Sequence, residues 1–163
     1  MSWATSVSLL DTYMIEIDSI PPISDFHHWI RVEIRFNDID ILGHVNNTVY
    51  FSFYDTGKAM YFKDIVDWDI DWKTVETVIA NVECTYLKPL MFGDDIICAT
   101  RCEAIHDRSF HLLQVLADRN TGEIKSACRS VMVSFDPATQ KSAPMPQRWR
   151  RALERSIAKN INN

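Results

Sequence analysis

The sequence predicts an α+β domain in which a curved antiparallel sheet of about five strands is wrapped around one long central helix. Three features carry that expectation. A strict apolar–polar alternation lies near residue 30, one helical stretch runs for about twenty residues, and four strand-like segments follow it with only short turns between them. Strands joined in that way form an antiparallel meander, and a lone long helix needs a sheet to cover it.

Residues 29–36 (WIRVEIRF) put Ile30, Val32, Ile34 and Phe36 on one face and Arg31, Glu33 and Arg35 on the other. That period of two is a half-buried strand. Residues 37–47 (NDIDILGHVNN) then crowd aspartates, asparagines, a glycine and a histidine against an apolar run. Asn46 or Asn47 suits a helix N-cap, and Val49, Tyr50, Phe53, Tyr54, Gly57, Met60, Tyr61 and Ile65 keep helical i, i+3, i+4 spacing as far as Val66. The composition of TVYFSFY would also suit a strand, but the length without a turn signal favours the helix. Phe51 and Phe62 fall off the main stripe, so this helix is expected to be wrapped by other structure rather than laid on its edge.

The segment DWDIDWKT (residues 67–74) leads to strands expected at 76–87, 96–107, 108–118 and 123–136. Turns fall at KPLMFGDD and at RNTGE, where Gly122 supplies the permissive backbone. Prolines end the sheet after Asp136, and QRWRRALERSIAK reads as a solvated C-terminal helix of mixed charge. The expected organisation is an N-terminal extension over 1–25, one domain over 26–150 and a helical tail over 151–163.

The 163 residues suit a single core, and 47% hydrophobic with 24% charged residues is the balance of an ordinary globular chain. A net charge of −5 without a dense Lys/Arg block argues against a nucleic-acid binder. Asp11, Glu16 and Asp18 interrupt the N-terminal segment, which therefore does not read as a signal peptide, and no stretch approaches the ~18 apolar residues of a membrane span. A soluble, cytoplasmic protein is expected. Cys84, Cys98, Cys102 and Cys128 form no CxxC pair and have no histidine at zinc-ligand spacing, so no metal is expected and all four read as reduced, buried thiols.

From the residues alone, 37–47 is either a polar turn with a helix cap or the chemical centre. Asp38 and Asp40 suit turn conformations, yet a carboxylate can also act as general base or nucleophile. A helix N-terminus offers unbonded N–H groups and the positive end of a dipole to a developing oxyanion. Gly43 would let backbone approach a ligand closely. His44 reads as a loop-orienting group, since nothing places a carboxylate to hold it in a triad. Tyr50, Phe51 and Tyr54 are core or pocket wall.

The string formed by Asp38, Asp40, Gly43, His44, Val45, Asn46, Asn47 and Tyr50, followed by Asp55, Lys58, Tyr86, Pro89, Gly93, Asp94, Ser109 and Asp136, resembles the hotdog-fold thioesterases of the 4-hydroxybenzoyl-CoA thioesterase type. The resemblance covers about residues 29–150. It implies hydrolysis of an acyl-CoA thioester without cofactor or metal, by a homodimer or homotetramer whose sheets join and whose active sites lie between subunits. It also implies Asp40 as the catalytic carboxylate and the backbone N–H of Asn47 as the donor to the thioester carbonyl. His44, Asn46 and Tyr50 are the implied substrate contacts. Lys88, Arg108 and Lys125 are candidates for the CoA phosphates, and Ser109 for the pantetheine arm. The chain departs from the family on the helix, with Asp55 for the usual Glu and Gly57-Lys58 for Ala-Arg. The rival functions are an acyl-carrier-protein thioesterase and a non-catalytic acyl-CoA-binding protein.

Overall fold

The computed structural model describes residues 15–66 and 76–161. Strand β1 (His28–Val32) leads through a loop to helix α1 (Asn47–Val66), followed by β2 (Thr77–Tyr86), β3 (Ile96–Ile105), β4 (Ser109–Asp118), β5 (Ile124–Asp136), the two-residue β6 (Lys141–Ser142) and helix α2 (Gln147–Ile161). The five long strands form one antiparallel sheet in the order β1-β3-β4-β5-β2, with β6 on β5. The sheet curls around α1, which is the hotdog arrangement implied by the resemblance. The predicted 67–74 connection lies outside the described residues.

Three expectations about the sheet and α1 are corrected in detail. Only β3, β4 and β5 form the meander; β2 lies across the sheet, paired with β5 rather than with its neighbour in sequence. Strand β1 ends at Val32, and Phe36, expected on the inward face, is 78% exposed. The cause is local, because the Asp38 carboxylate accepts the Arg35 N–H at 2.8 Å and turns the chain into a short 3-10 segment over Phe36–Asp38. Finally, α1 is not wrapped on all sides. Tyr50, Phe53, Tyr54, Gly57, Lys58, Tyr61 and Phe62 are buried, while Phe51, Ser52, Asp55, Thr56, Lys63 and Asp64 face outward, because the sheet curls over one side of the helix only.

The core divides along α1. One cluster joins Tyr50, Phe53 and Tyr54 to Leu90, Ile96, Cys98, Leu116 and Cys128; the other joins Tyr61 and Phe62 to Phe110, Leu112, Met132, Trp149 and Leu153. Alternate residues of the same strands face the opposite side, where Ala99, Leu113, Val115 and Ala127 pack against Ile15 and Phe26. Helix α2, expected to be solvated, buries Ala152, places Trp149 and Leu153 in the cluster of Tyr61 and Phe62, and keeps its charges on the other face.

Gly57 explains one departure on the helix. A Cβ there would overlap Cys98 Sγ and lie 3.3 Å from the Gln114 amide nitrogen. That amide is fully buried and donates to the Tyr54 carbonyl at 2.8 Å and to Thr100 Oγ1 at 3.0 Å, so it has no freedom to withdraw. Gly57→Ala is therefore expected to lose about 1–3 kcal/mol through overpacking, despite the better helix propensity of alanine. Urea unfolding checks it; equal or higher stability would remove the packing account. The Lys58 ammonium is carried inward but reaches Asp55 at 2.9 Å on the exposed edge.

Candidate functional site

The loop between β1 and α1 is built from short-range bonds. Arg35 donates to Asp38 through its guanidinium at 2.8 Å and through its backbone, which holds the buried Asp38 carboxyl below the ordinary carboxylate range. The Asp38 carbonyl accepts from Asn46 N–H at 2.8 Å, and Val45 N–H donates to the Leu90 carbonyl at 2.9 Å, so both ends of the loop are anchored. Asp38 is thus structural.

Asp40 heads a tight turn. Its carbonyl accepts from Gly43 N–H at 3.0 Å, its N–H donates to the His44 carbonyl at 2.9 Å, and its Oδ1 accepts from Leu42 N–H at 2.8 Å. This is the turn-forming role weighed for aspartate, but it occupies one carboxylate oxygen only. Among the described residues Oδ2 has no donor. Gly43 serves the turn through its φ of +79° rather than through close approach to anything, since no atom lies within 4 Å of where a Cβ would stand.

Asn46 is the cap of α1. Its side-chain oxygen accepts from Thr48 N–H at 2.9 Å and Thr48 Oγ1 at 2.7 Å. Asn47 is the first helical residue, and its N–H donates to no described residue, as expected of the first turn. Its carbonyl accepts from the Tyr86 hydroxyl at 3.1 Å, and Tyr86 meets Tyr50 edge-on at 4.9 Å. The buried Tyr50 hydroxyl accepts from Leu90 N–H at 3.1 Å, and burial raises its pKa.

Asp40, His44, Asn47, Tyr50 and Lys88 together line a cleft of about 360 Å³ with Leu42, Val45, Tyr86, Leu87 and Pro89. Two cationic candidates are tied back to an acid, since Lys88 and Lys125 both pair with Glu123, the latter at 2.6 Å. Arg108 and Ser109 are not brought to the cleft of the same chain. They lie where β4 begins, at the end of the sheet opposite the Val32–Ile96 end that carries the loop, and Arg108 bonds the Ser142 carbonyl. Leu42, Val45, Tyr86, Leu87 and Pro89 line the cleft without having been expected as site residues; for Tyr86, its alternation with Thr85 in a strand facing α1 is the signal that could have shown it.

A second cleft, of about 420 Å³, lies at the other end of α1 and contains the His28–Asp64 pair at 3.0 Å. It joins the negative end of the helix dipole, where an oxyanion is disfavoured. Among the described residues no group of three or more His, Cys, Asp or Glu is arranged to hold a metal ion, and no helix is long and apolar enough to cross a membrane.

The family model described as the Thioesterase-like superfamily matches residues 34–153. The uncharacterized protein YsmA of Bacillus subtilis is 26% identical over 119 residues, 73% of this chain and 80% of its own length. Among solved structures, a thioesterase from Thermus thermophilus, complexed with coenzyme A and zinc, is 29% identical with a TM-score of 0.69 over 78% of this chain and 98% of its own. A predicted thioesterase from Bacillus stearothermophilus is 26% identical with a TM-score of 0.73 over 79% of this chain and 95% of its own.

Proposed function

The chain belongs to the thioesterase-like superfamily, whose reaction class is thioester hydrolysis, and from that premise we propose that it hydrolyses an acyl-CoA thioester to the free acid and CoA. The observation that carries the proposal is the pairing, in one cleft, of a carboxylate oxygen and a helix N-terminal N–H that are both unbonded among the described residues. Asp40 Oδ2 is the group that activates water or attacks the carbonyl carbon, and its Leu42 bond fixes the carboxylate plane. Asn47 N–H donates to the thioester oxygen as it gains negative charge, and the N-terminal dipole adds to that stabilisation. Asn46 holds the first turn in place, while Tyr50 and Tyr86 form its wall.

The CoA carrier is favoured by the coenzyme A bound to the Thermus thermophilus relative. In this chain His44 and Lys88 are the lining residues offered to the pantetheine and phosphate portions. Arg108 and Ser109 enter the same proposal as contributions from a second subunit, because they lie far from the cleft of their own chain. Self-association as a homodimer or homotetramer fits the outer edge of β2, which pairs with no other strand among the described residues and where Val78, Ile79 and Val82 are exposed. Light scattering is expected to give the mass of two or four chains; a monomer at assay concentrations removes this part.

The test of the reaction is free-thiol release from short, long and aromatic acyl-CoAs. Turnover of at least one class is expected. Hydrolysis of acyl-carrier protein alone would transfer the activity to that carrier, and thermal stabilisation by acyl-CoA without turnover would mark a binding protein.

A further inference from the structure

Cys84 on β2 and Cys128 on β5 stand directly opposite each other in register. In the same register, Leu87 N–H donates to the Lys125 carbonyl at 2.9 Å, which makes that a hydrogen-bonded pair. Bonded and non-bonded pairs alternate along an antiparallel ladder, so Tyr86/Ser126 is non-bonded, Thr85/Ala127 bonded and Cys84/Cys128 non-bonded. Residues in a non-bonded pair have Cα atoms about 4.5 Å apart and project to the same face, within the ~4.4–6.8 Å that a disulfide spans. The two thiols meet on the inner face against Tyr50 and Tyr54, Cys128 buried and Cys84 half-buried.

We propose that Cys84 and Cys128 are an oxidative modification site, at which a hydroperoxide converts the two thiols into an intrachain cross-strand disulfide behind the Tyr86 wall of the cleft. The chemistry divides between them. The facing Cys128 thiol lowers Cys84, the more accessible of the two, to about 7, which makes it the nucleophile. Burial pushes Cys98 and Cys102 to about 12, which leaves them inert. Cys84 thiolate attacks the peroxide, an S–O bond forms as the O–O bond breaks, and the leaving oxygen takes a proton as water or alcohol. The Cys128 sulfur then attacks the sulfenic acid, S–S forms, and the hydroxyl leaves with the Cys128 proton as water. Two thiols are oxidised by two electrons and one peroxide is reduced.

The test uses the intact protein and does not depend on thioester hydrolysis, so its failure and that of the proposed reaction are separable. After hydrogen peroxide treatment, thiols titrated under denaturing conditions are expected to fall from four to two, and a non-reduced peptide map to join Cys84 to Cys128 within one chain, reversibly with dithiothreitol. Cys128→Ser is expected to abolish the cross-link and leave a Cys84 sulfenic acid that dimedone traps, while Cys102→Ser leaves the cross-link unchanged. Retention of four thiols, a cross-link to Cys98 or Cys102, or a cross-link between chains overturns the proposal. The wild-type map decides the matter even where a variant fails to fold.

Discussion

Asp40→Asn is expected to lower kcat/KM for acyl-CoA hydrolysis by about 10²–10⁴-fold, the contribution of a positioned general base. The substitution separates chemistry from structure, because the asparagine oxygen can still accept the Leu42 N–H that Asp40 accepts at 2.8 Å. The turn to Gly43 uses backbone atoms and survives too. The unfolding free energy should therefore stay within about 0.5 kcal/mol of wild type, while the loss falls on kcat rather than on KM if the carboxylate acts in the transition state. Full activity in a folded Asp40→Asn protein would remove Asp40 from the mechanism while leaving the fold and family untouched. A loss of activity accompanied by unfolding would show that the turn depends on the Asp40 carboxylate itself.

Trp149→Ala is the substitution expected to cost most in stability, about 3–5 kcal/mol for a fully buried tryptophan. The side chain is 1% exposed; it stands edge-on to Phe62 at 4.9 Å and stacks on Phe110 at 6.1 Å, so it ties α2 to both α1 and β4. Its indole N–H donates to Glu76 at 3.0 Å, and Arg148 pairs with the same carboxylate. For a domain of this size the loss corresponds to a Tm lower by roughly 6–20 °C. Trp149→Phe, which keeps most of the ring contacts and loses the hydrogen bond, should cost less than half as much. A Tm change under about 2 °C for Trp149→Ala would show that α2 is dispensable to the fold.

The turn and cap were legible in residues 37–47 because their bonds are local. Asp40 to Leu42 and Asn46 to Thr48 each span two residues, so their chemistry is decided by which side chains neighbour which backbone. The same locality made α1 readable. It did not make its environment readable, since Phe51 is as apolar as Phe53 and only the direction in which the sheet curls leaves one outside and the other inside. A charge-rich C-terminal segment likewise gave no warning that Trp149 would close the second core cluster.

By itself, then, the sequence determined the alternation of the strands, the helix from Asn47 to Val66 and the placing of Asp40 just ahead of a capped helix end. Tertiary structure alone decided that β2 lies beside β5 rather than β3, and from that one pairing follow the Tyr86 bond to Asn47 and the apposition of Cys84 and Cys128. It also decided that Gly57 must be glycine and that Arg108 and Ser109 lie away from Asp40. Local patterns depend on torsional preference and on neighbours a few residues away, whereas strand order and register depend on which of many distant surfaces bury together best.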